Sequence, residues 1–193
     1  MSDSSTTRKH VCVFCSSSNA VDAAFFAVAN ELGRAIARRG HVLVYGAGAL
    51  GLMGALARSV HAHGGYVIGY IPAFMQEWPG VTYADADELV VTRDMRERKA
   101  LMEARADGFV VLPGGFGTLE ELFEMLAFKQ LERHAKPLVI VNTRGFYDHL
   151  LSLLDHIVAE RFARPDHRAL CHVVADPEPA LDYIERYTPS PVS

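Results

Sequence analysis

The residues best suited to chemistry in this chain are those of Pro113-Gly-Gly-Phe-Gly-Thr-Leu-Glu-Glu121. The run joins the apolar stretch Phe109–Leu112 to a segment of helical periodicity, so Gly114, Gly115 and Gly117 leave backbone N–H groups uncovered at a helix start. Uncovered amides and the positive end of a helix dipole together attract an anion such as phosphate. The same residues also suit a tight strand-to-helix turn, with Thr118 as N-cap and Glu121 three positions on as its partner in a capping box. Glycine density favours phosphate, because a cap needs one special residue rather than three. Near a helix N-terminus the carboxylate of Glu121 is favoured over the neutral acid. That suits it to act as a base, a hydrogen-bond acceptor or a stabiliser of positive charge, and least of all as a general acid.

A second group opens the preceding helix, Asp94-Met-Arg-Glu-Arg-Lys99. At about 100° per residue, Arg98 falls on the arc of Met95, Leu101 and Met102, while Arg96 and Glu97 lie toward the polar side. A cation there has two readings: a packed stem with its head snorkelling to solvent, or a guanidinium held for phosphate or carboxylate recognition. The neighbouring glycine loop favours the second. Lys99 lies between the two arcs and also suits a solvated flank. Gly46-Ala-Gly-Ala-Leu-Gly51 matches the G-x-G-x-x-G dinucleotide fingerprint. The next apolar run, Tyr66–Ile71, ends in Ile-Pro without the acidic residue that would hold a ribose. This loop is therefore expected to line a crevice without requiring NAD.

Nine histidines are scattered without ligand spacing, and three cysteines make no disulfide framework. No metal and no cofactor are expected. Cys12 and Cys15 form a C-x-x-C inside an apolar run, where an odd separation points them to opposite faces of a strand. They read as small buried hydrophobes. The chain contains no G-x-S-x-G nucleophile elbow.

These residues need elements to bring them together. Strands are expected at His10–Cys15, His41–Tyr45, Tyr66–Ile71, Glu88–Thr92, Gly108–Leu112, Pro137–Asn142 and His172–Ala175. Helices are expected at Val21–Arg39, Gly51–His63, Asp94–Ala106, Leu119–Arg133, Phe146–Arg161 and Glu178–Tyr187. Strands alternating with helices imply βαβ units. The expected class is α/β, a doubly wound, Rossmann-like parallel sheet with helices on both faces. Its ligand crevice lies beyond the carboxyl ends of the strands, which picks out Ser16–Asn19, Gly46–Gly54, a mobile Pro72–Asp85 loop and Pro113–Thr118.

At 193 residues the chain suits one domain over 10–187, flanked by disordered polar tails at 1–9 and 188–193. Half of the residues are hydrophobic and 22% are charged, enough for an ordinary core. A formal net charge of −4 gives little basis for gripping nucleic acid or an anionic membrane. No stretch approaches a membrane span or a signal-peptide core. Free thiols point to the cytoplasm.

Taken together, these motifs resemble the Lonely Guy (LOG) cytokinin-activating phosphoribohydrolases, a family often labelled as lysine decarboxylases, over about residues 10–185. The family hallmark P-G-G-x-G-T-x-x-E is complete from Pro113 to Glu121, with Phe116 at the variable position. The second signature, M-H-x-R-K, appears as Met95-Arg-Glu-Arg-Lys99, with Arg96 in place of histidine. Looser echoes are Val13–Ser18, with Ser16 for a glycine, and Tyr45–Gly54, with Ala47 for a glycine. The resemblance implies hydrolysis of the N-glycosidic bond of N6-substituted adenosine 5′-monophosphates to free base and ribose 5-phosphate. It also implies a homodimer with the site near the interface.

By the same resemblance Arg98 and Glu121 match the catalytic pair, and Gly114, Gly115, Gly117 and Thr118 the phosphate loop. Lys99 and Glu120 match substrate-contacting positions, and Glu77 falls near a substrate-binding glutamate across a one-residue gap. Ala127-Phe-Lys129 departs from the family's T-W-x-Q run although Gln130 remains, which bears on base preference rather than on the reaction. Two broader readings stand beside this one: a general purine nucleoside-5′-monophosphate nucleosidase acting on AMP, and a non-catalytic nucleotide-binding or carrier module.

Overall fold

The computed structural model describes residues 7–189. Seven strands, β1 (His10–Phe14), β2 (Val42–Tyr45), β3 (Tyr66–Pro72), β4 (Glu88–Thr92), β5 (Gly108–Val111), β6 (Leu138–Val141) and β7 (His172–Val174), form one sheet in the order β4-β3-β2-β1-β5-β6-β7. Every pairing is parallel. The helices are α1 (Ala23–Arg38), α2 (Gly51–Ala62), α3 (Ala73–Gln76), α4 (Met95–Arg105), α5 (Phe116–Gln130), α6 (Asp148–Ala159) and α7 (Pro177–Arg186). The doubly wound class expected from the alternation is what forms.

Strand side chains alternate between two cores because successive Cβ atoms point to opposite faces of a sheet. Val11, Val13 and Cys15 pack with Leu32 and Ile36 of α1, Leu56 and Val60 of α2, and Leu181 and Ile184 of α7. Cys12 and Phe14 pack on the other side with Met102 of α4 and Leu122 and Met125 of α5. The C-x-x-C pair is thus divided between the cores, as its odd spacing predicts, and both thiols are buried. Burial raises the affinity of each for its proton.

Element boundaries differ from expectation where caps decide them. Asp22 accepts the Ala24 N–H at 2.8 Å, so α1 begins at Ala23. Two expectations are corrected at helix starts: α5 begins at Phe116 rather than Leu119, and α6 at Asp148 after a 3-10 turn over Thr143–Gly145. The short α3 was not expected. Of the expected tails, residues 1–6 and 190–193 lie outside the described residues, while Lys9 is tied to the sheet, its carbonyl accepting the Val42 N–H at 2.8 Å.

From β1 the chain works outward to β4 on one side and, returning as β5, outward to β7 on the other. The carboxyl ends of β1 and β5 therefore flank the topological switch point, where open α/β sheets form their crevice. The Ser16 N–H bonds the Pro113 carbonyl across it at 3.2 Å.

Candidate active site

Arg98 is placed by the start of α4. Asp94 caps this helix, its carboxylate accepting the N–H groups of Arg96 at 2.8 Å and Glu97 at 2.9 Å. Arg98 in the first turn then points at the sheet, 6% exposed. Its Nε donates to the Tyr70 carbonyl at 3.0 Å and its Nη2 to the Gly46 carbonyl at 3.3 Å. The guanidinium is thus fixed from β3 and from the end of β2 and does not snorkel to solvent. A Cβ at Gly46 would fall 1.5 Å from Nη2, so the first glycine of the fingerprint match makes room for this arginine.

Glu121 faces it from α5, with Oε1 3.9 Å from Arg98 Nη1 and a side chain 12% exposed. Burial pushes its carboxyl up from an ordinary 4.5 to about 7, against the opposite pull of Arg98 and Lys99 and with the push of Glu120 and Glu124. The expectation that the helix dipole sets the ionisation of Glu121 is corrected: burial counts for more. Glu121 lies beyond the first turn of α5, where the dipole has faded, and desolvation of the charged form prevails. A carboxyl held near 7 can also donate a proton, so the general-acid role, expected to suit it least, is open to it.

Thr118 is likewise not an N-cap. Gly115 occupies that position without a side-chain bond, while Thr118 is buried inside the first turn, where a Cβ at Gly114 would lie 2.1 Å from its Oγ1. Gly115 and Gly117 face open space. The first N–H groups of α5 have no carbonyl a turn back to accept them, and the loop beside them is open. Tyr147 steadies the approach to this loop by donating its hydroxyl to the Leu112 carbonyl at 2.8 Å.

These parts surround one cavity of about 600 Å³ at the switch point, within the range of small-molecule sites. Gly115, Gly117, Thr118, Glu121 and Arg98 line one wall, Ser16–Ser18 with Gly46 and Gly48 another, and Leu50, Met75, Trp78 and Val81 an apolar rim. The Pro72–Asp85 segment, expected as a mobile loop, is bonded through its backbone to the Gly46–Gly54 loop. Ala49 N–H bonds the Val81 carbonyl at 2.7 Å and Tyr83 N–H the Ala47 carbonyl at 2.8 Å. Among the described residues, no group of three or more His, Cys, Asp or Glu is placed to hold a metal ion.

Residues 53–184 match the family model described as "Possible lysine decarboxylase". The chain is 44% identical over 183 residues to a protein of Oryza sativa named "Probable cytokinin riboside 5'-monophosphate phosphoribohydrolase LOGL9", covering 94% of this chain and 79% of the relative. It is 39% identical over 183 residues, with the same coverage of 94% and 79%, to "Cytokinin riboside 5'-monophosphate phosphoribohydrolase LOG5" of Arabidopsis thaliana. The chain belongs to the LOG family. Among solved structures, the molybdenum cofactor carrier protein of Chlamydomonas reinhardtii superposes with a TM-score of 0.70 at 24% identity, over 93% of this chain and 97% of that one. At that identity the likeness is one of fold.

The two LOG signatures meet across the cavity through Arg98 and Glu121, but not all their residues reach it. Gly114 sits behind Thr118 as its support. Lys99 and Glu120, expected at substrate-contacting positions, are paired with each other, and the Lys99 Nζ also lies 3.0 Å from Glu124. Glu77 ends α3, exposed, between the cavity-lining Met75 and Trp78 without lining the cavity itself. A lysine decarboxylase would carry pyridoxal phosphate on a lysine. Lys99 is clasped by two carboxylates, and none of the described residues lining the cavity is a lysine, so the residues present do not fit that group. Sequence reasoning missed the Tyr70 carbonyl, Glu124, Met75 and Trp78. The single tryptophan in a loop beside two prolines was the available signal for the rim.

Proposed function

We propose that this chain hydrolyses the N-glycosidic bond of N6-substituted adenosine 5′-monophosphates, releasing the free base and ribose 5-phosphate. The carrying observation is the buried Glu121 facing Arg98 at 3.9 Å beside a glycine loop with open amides. Relatives named for phosphoribohydrolase activity on cytokinin riboside 5′-monophosphates support the same reading.

The chemistry follows from these groups. The 5′-phosphate sits against the first N–H groups of α5, and the apolar rim of Leu50, Met75 and Trp78 takes the base. As the bond from C1′ to the base nitrogen breaks, its electron pair leaves with the base and positive charge builds on the ribose. The carboxylate of Glu121 stabilises that charge and takes a proton from the attacking water, whose oxygen bonds to C1′. The departing base gains a proton, so one water is consumed and no net charge is made. A carboxyl near 7 is matched to both accepting and returning a proton at neutral pH. Arg98 holds the nucleotide in register with Glu121.

Incubation with N6-isopentenyl-AMP and with AMP in EDTA, followed by chromatography of free bases, tests this. Isopentenyladenine released faster than adenine is the expected result. Equal rates point to the general purine nucleosidase, and no base from either to the carrier module. The protein is also proposed to act in the cytoplasm as a homodimer. Phe123 and Leu131 of the α5 region and Leu153 and Phe162 of the α6 region are apolar side chains left in water, 39, 66, 49 and 84% exposed respectively, and Phe123 and Phe162 line one groove.

A further inference from the structure

Lys99 and Glu124 do something the reaction above leaves unused. Lys99 follows Arg98 on α4, yet its side chain is only 12% exposed and turns to α5, where its ammonium lies between Glu120 and Glu124. Those carboxylates are one turn apart and share a helix face. Glu121 lies between them in sequence. Burial works against the charge of Lys99, but its two partners hold its ammonium above its usual range. The charge that holds the two helices together is therefore permanent across the working pH range.

We propose that Lys99 is a positioning residue for the reaction: clasped by Glu120 and Glu124, it fixes α4 against α5, holding Arg98 opposite Glu121, and its charge offsets the two carboxylates flanking Glu121. This rests on the glycosidase reading of Arg98 and Glu121. Two consequences separate it from a substrate contact. The clasp is made outside the cavity wall, so its loss disturbs turnover rather than nucleotide affinity. It also changes the charge balance around Glu121, whose charged or titratable neighbours are Arg98 and Lys99 from α4, Glu120 and Glu124 on its own helix, Cys12 from β1 and Cys15 just after it. Removing Lys99 leaves two unopposed carboxylates beside Glu121, and neutralising Glu124 removes one of them.

The test is a carbon-13 NMR titration of side-chain-labelled glutamates in the full chain without nucleotide, with the Glu121 signal identified by its loss in Glu121→Gln. Lys99→Met is expected to raise the Glu121 midpoint by about one pH unit and Glu124→Gln to lower it by a smaller amount, with Lys99→Arg restoring it. In the base-release assay, Lys99→Met lowers kcat about tenfold to a hundredfold while KM changes less than about twofold. Unmoved midpoints in Lys99→Met and Glu124→Gln overturn the proposal, as does a rise in KM that accounts for the whole loss. If Lys99→Met fails to fold, Glu124→Gln, which keeps the shape of the side chain, decides alone. A wild-type protein that releases no base overturns the glycosidase reading, while the titration still judges the clasp.

Discussion

Glu121 carries an energetic signature that a surface glutamate would not. Its carboxyl titrates near 7 when folded and near 4.5 when exposed, so between those values the native state binds more protons than the unfolded one. Stability is then full below about pH 4.5 and is lost as pH rises through about 7, by about 3 kcal/mol at most. Glu121→Gln, which holds no charge, is expected to match the wild type near pH 4.5 and to exceed it in urea midpoint at pH 8. In the base-release assay the same change lowers kcat by about 10²–10⁴. A stabilised but inactive variant at alkaline pH is the combined result, and a Glu121→Gln protein that is weaker at pH 8 would refute the assignment. The sequence places Glu121 in a motif but does not state its burial, which comes from β1 and α4 closing over it. That is why its place on the cavity wall was legible in the motif while the upward push on its carboxyl was not. Arg98 was readable for the converse reason: its place on an apolar helical arc is itself a statement of burial.

Within the β5–α5 turn the glycines divide into two kinds, and the division predicts opposite outcomes. Gly114 is covered by Thr118, so Gly114→Ala should cost roughly 1–3 kcal/mol by overpacking. Gly117 lies in the first turn of α5 against open space, so Gly117→Ala should leave the fold as stable or up to about 1 kcal/mol more stable. Its methyl group nevertheless occupies the ground on which a phosphate would rest, and KM for the nucleotide should rise at least about tenfold. Thermal melts alongside Michaelis curves check both. Neither glycine is distinguishable from the other in the sequence, because the difference lies in what packs behind the loop. The same holds for Lys99, whose helical phase lay between two arcs and whose partners on α5 are found only when the helices are docked. Gly46, by contrast, was legible as a crevice glycine because the fingerprint match lacked its acidic partner.

The architecture as a whole was readable because alternation of apolar runs and amphipathic segments is a property of the entire chain, and errors of a few residues at helix ends do not alter it. Division of Cys12 and Cys15 between two cores follows from the same period-2 rule. Assembly is a property of the surface, and the proposed dimer would cover exposed apolar side chains of α5, α6 and the following turn. Light scattering should give twice 21.2 kDa for the wild type. Phe162→Asp together with Leu131→Asp should return the mass to a monomer without loss of helical signal. A wild-type monomer would overturn the proposed dimer. The burial of all three thiols has a practical consequence. A cysteine introduced at Phe116, a side chain 93% exposed in the glycine loop, would be the one site open to a maleimide dye in the folded protein. A fluorophore attached there would stand at the rim of the cavity, turning the arrival of a nucleotide into an optical signal.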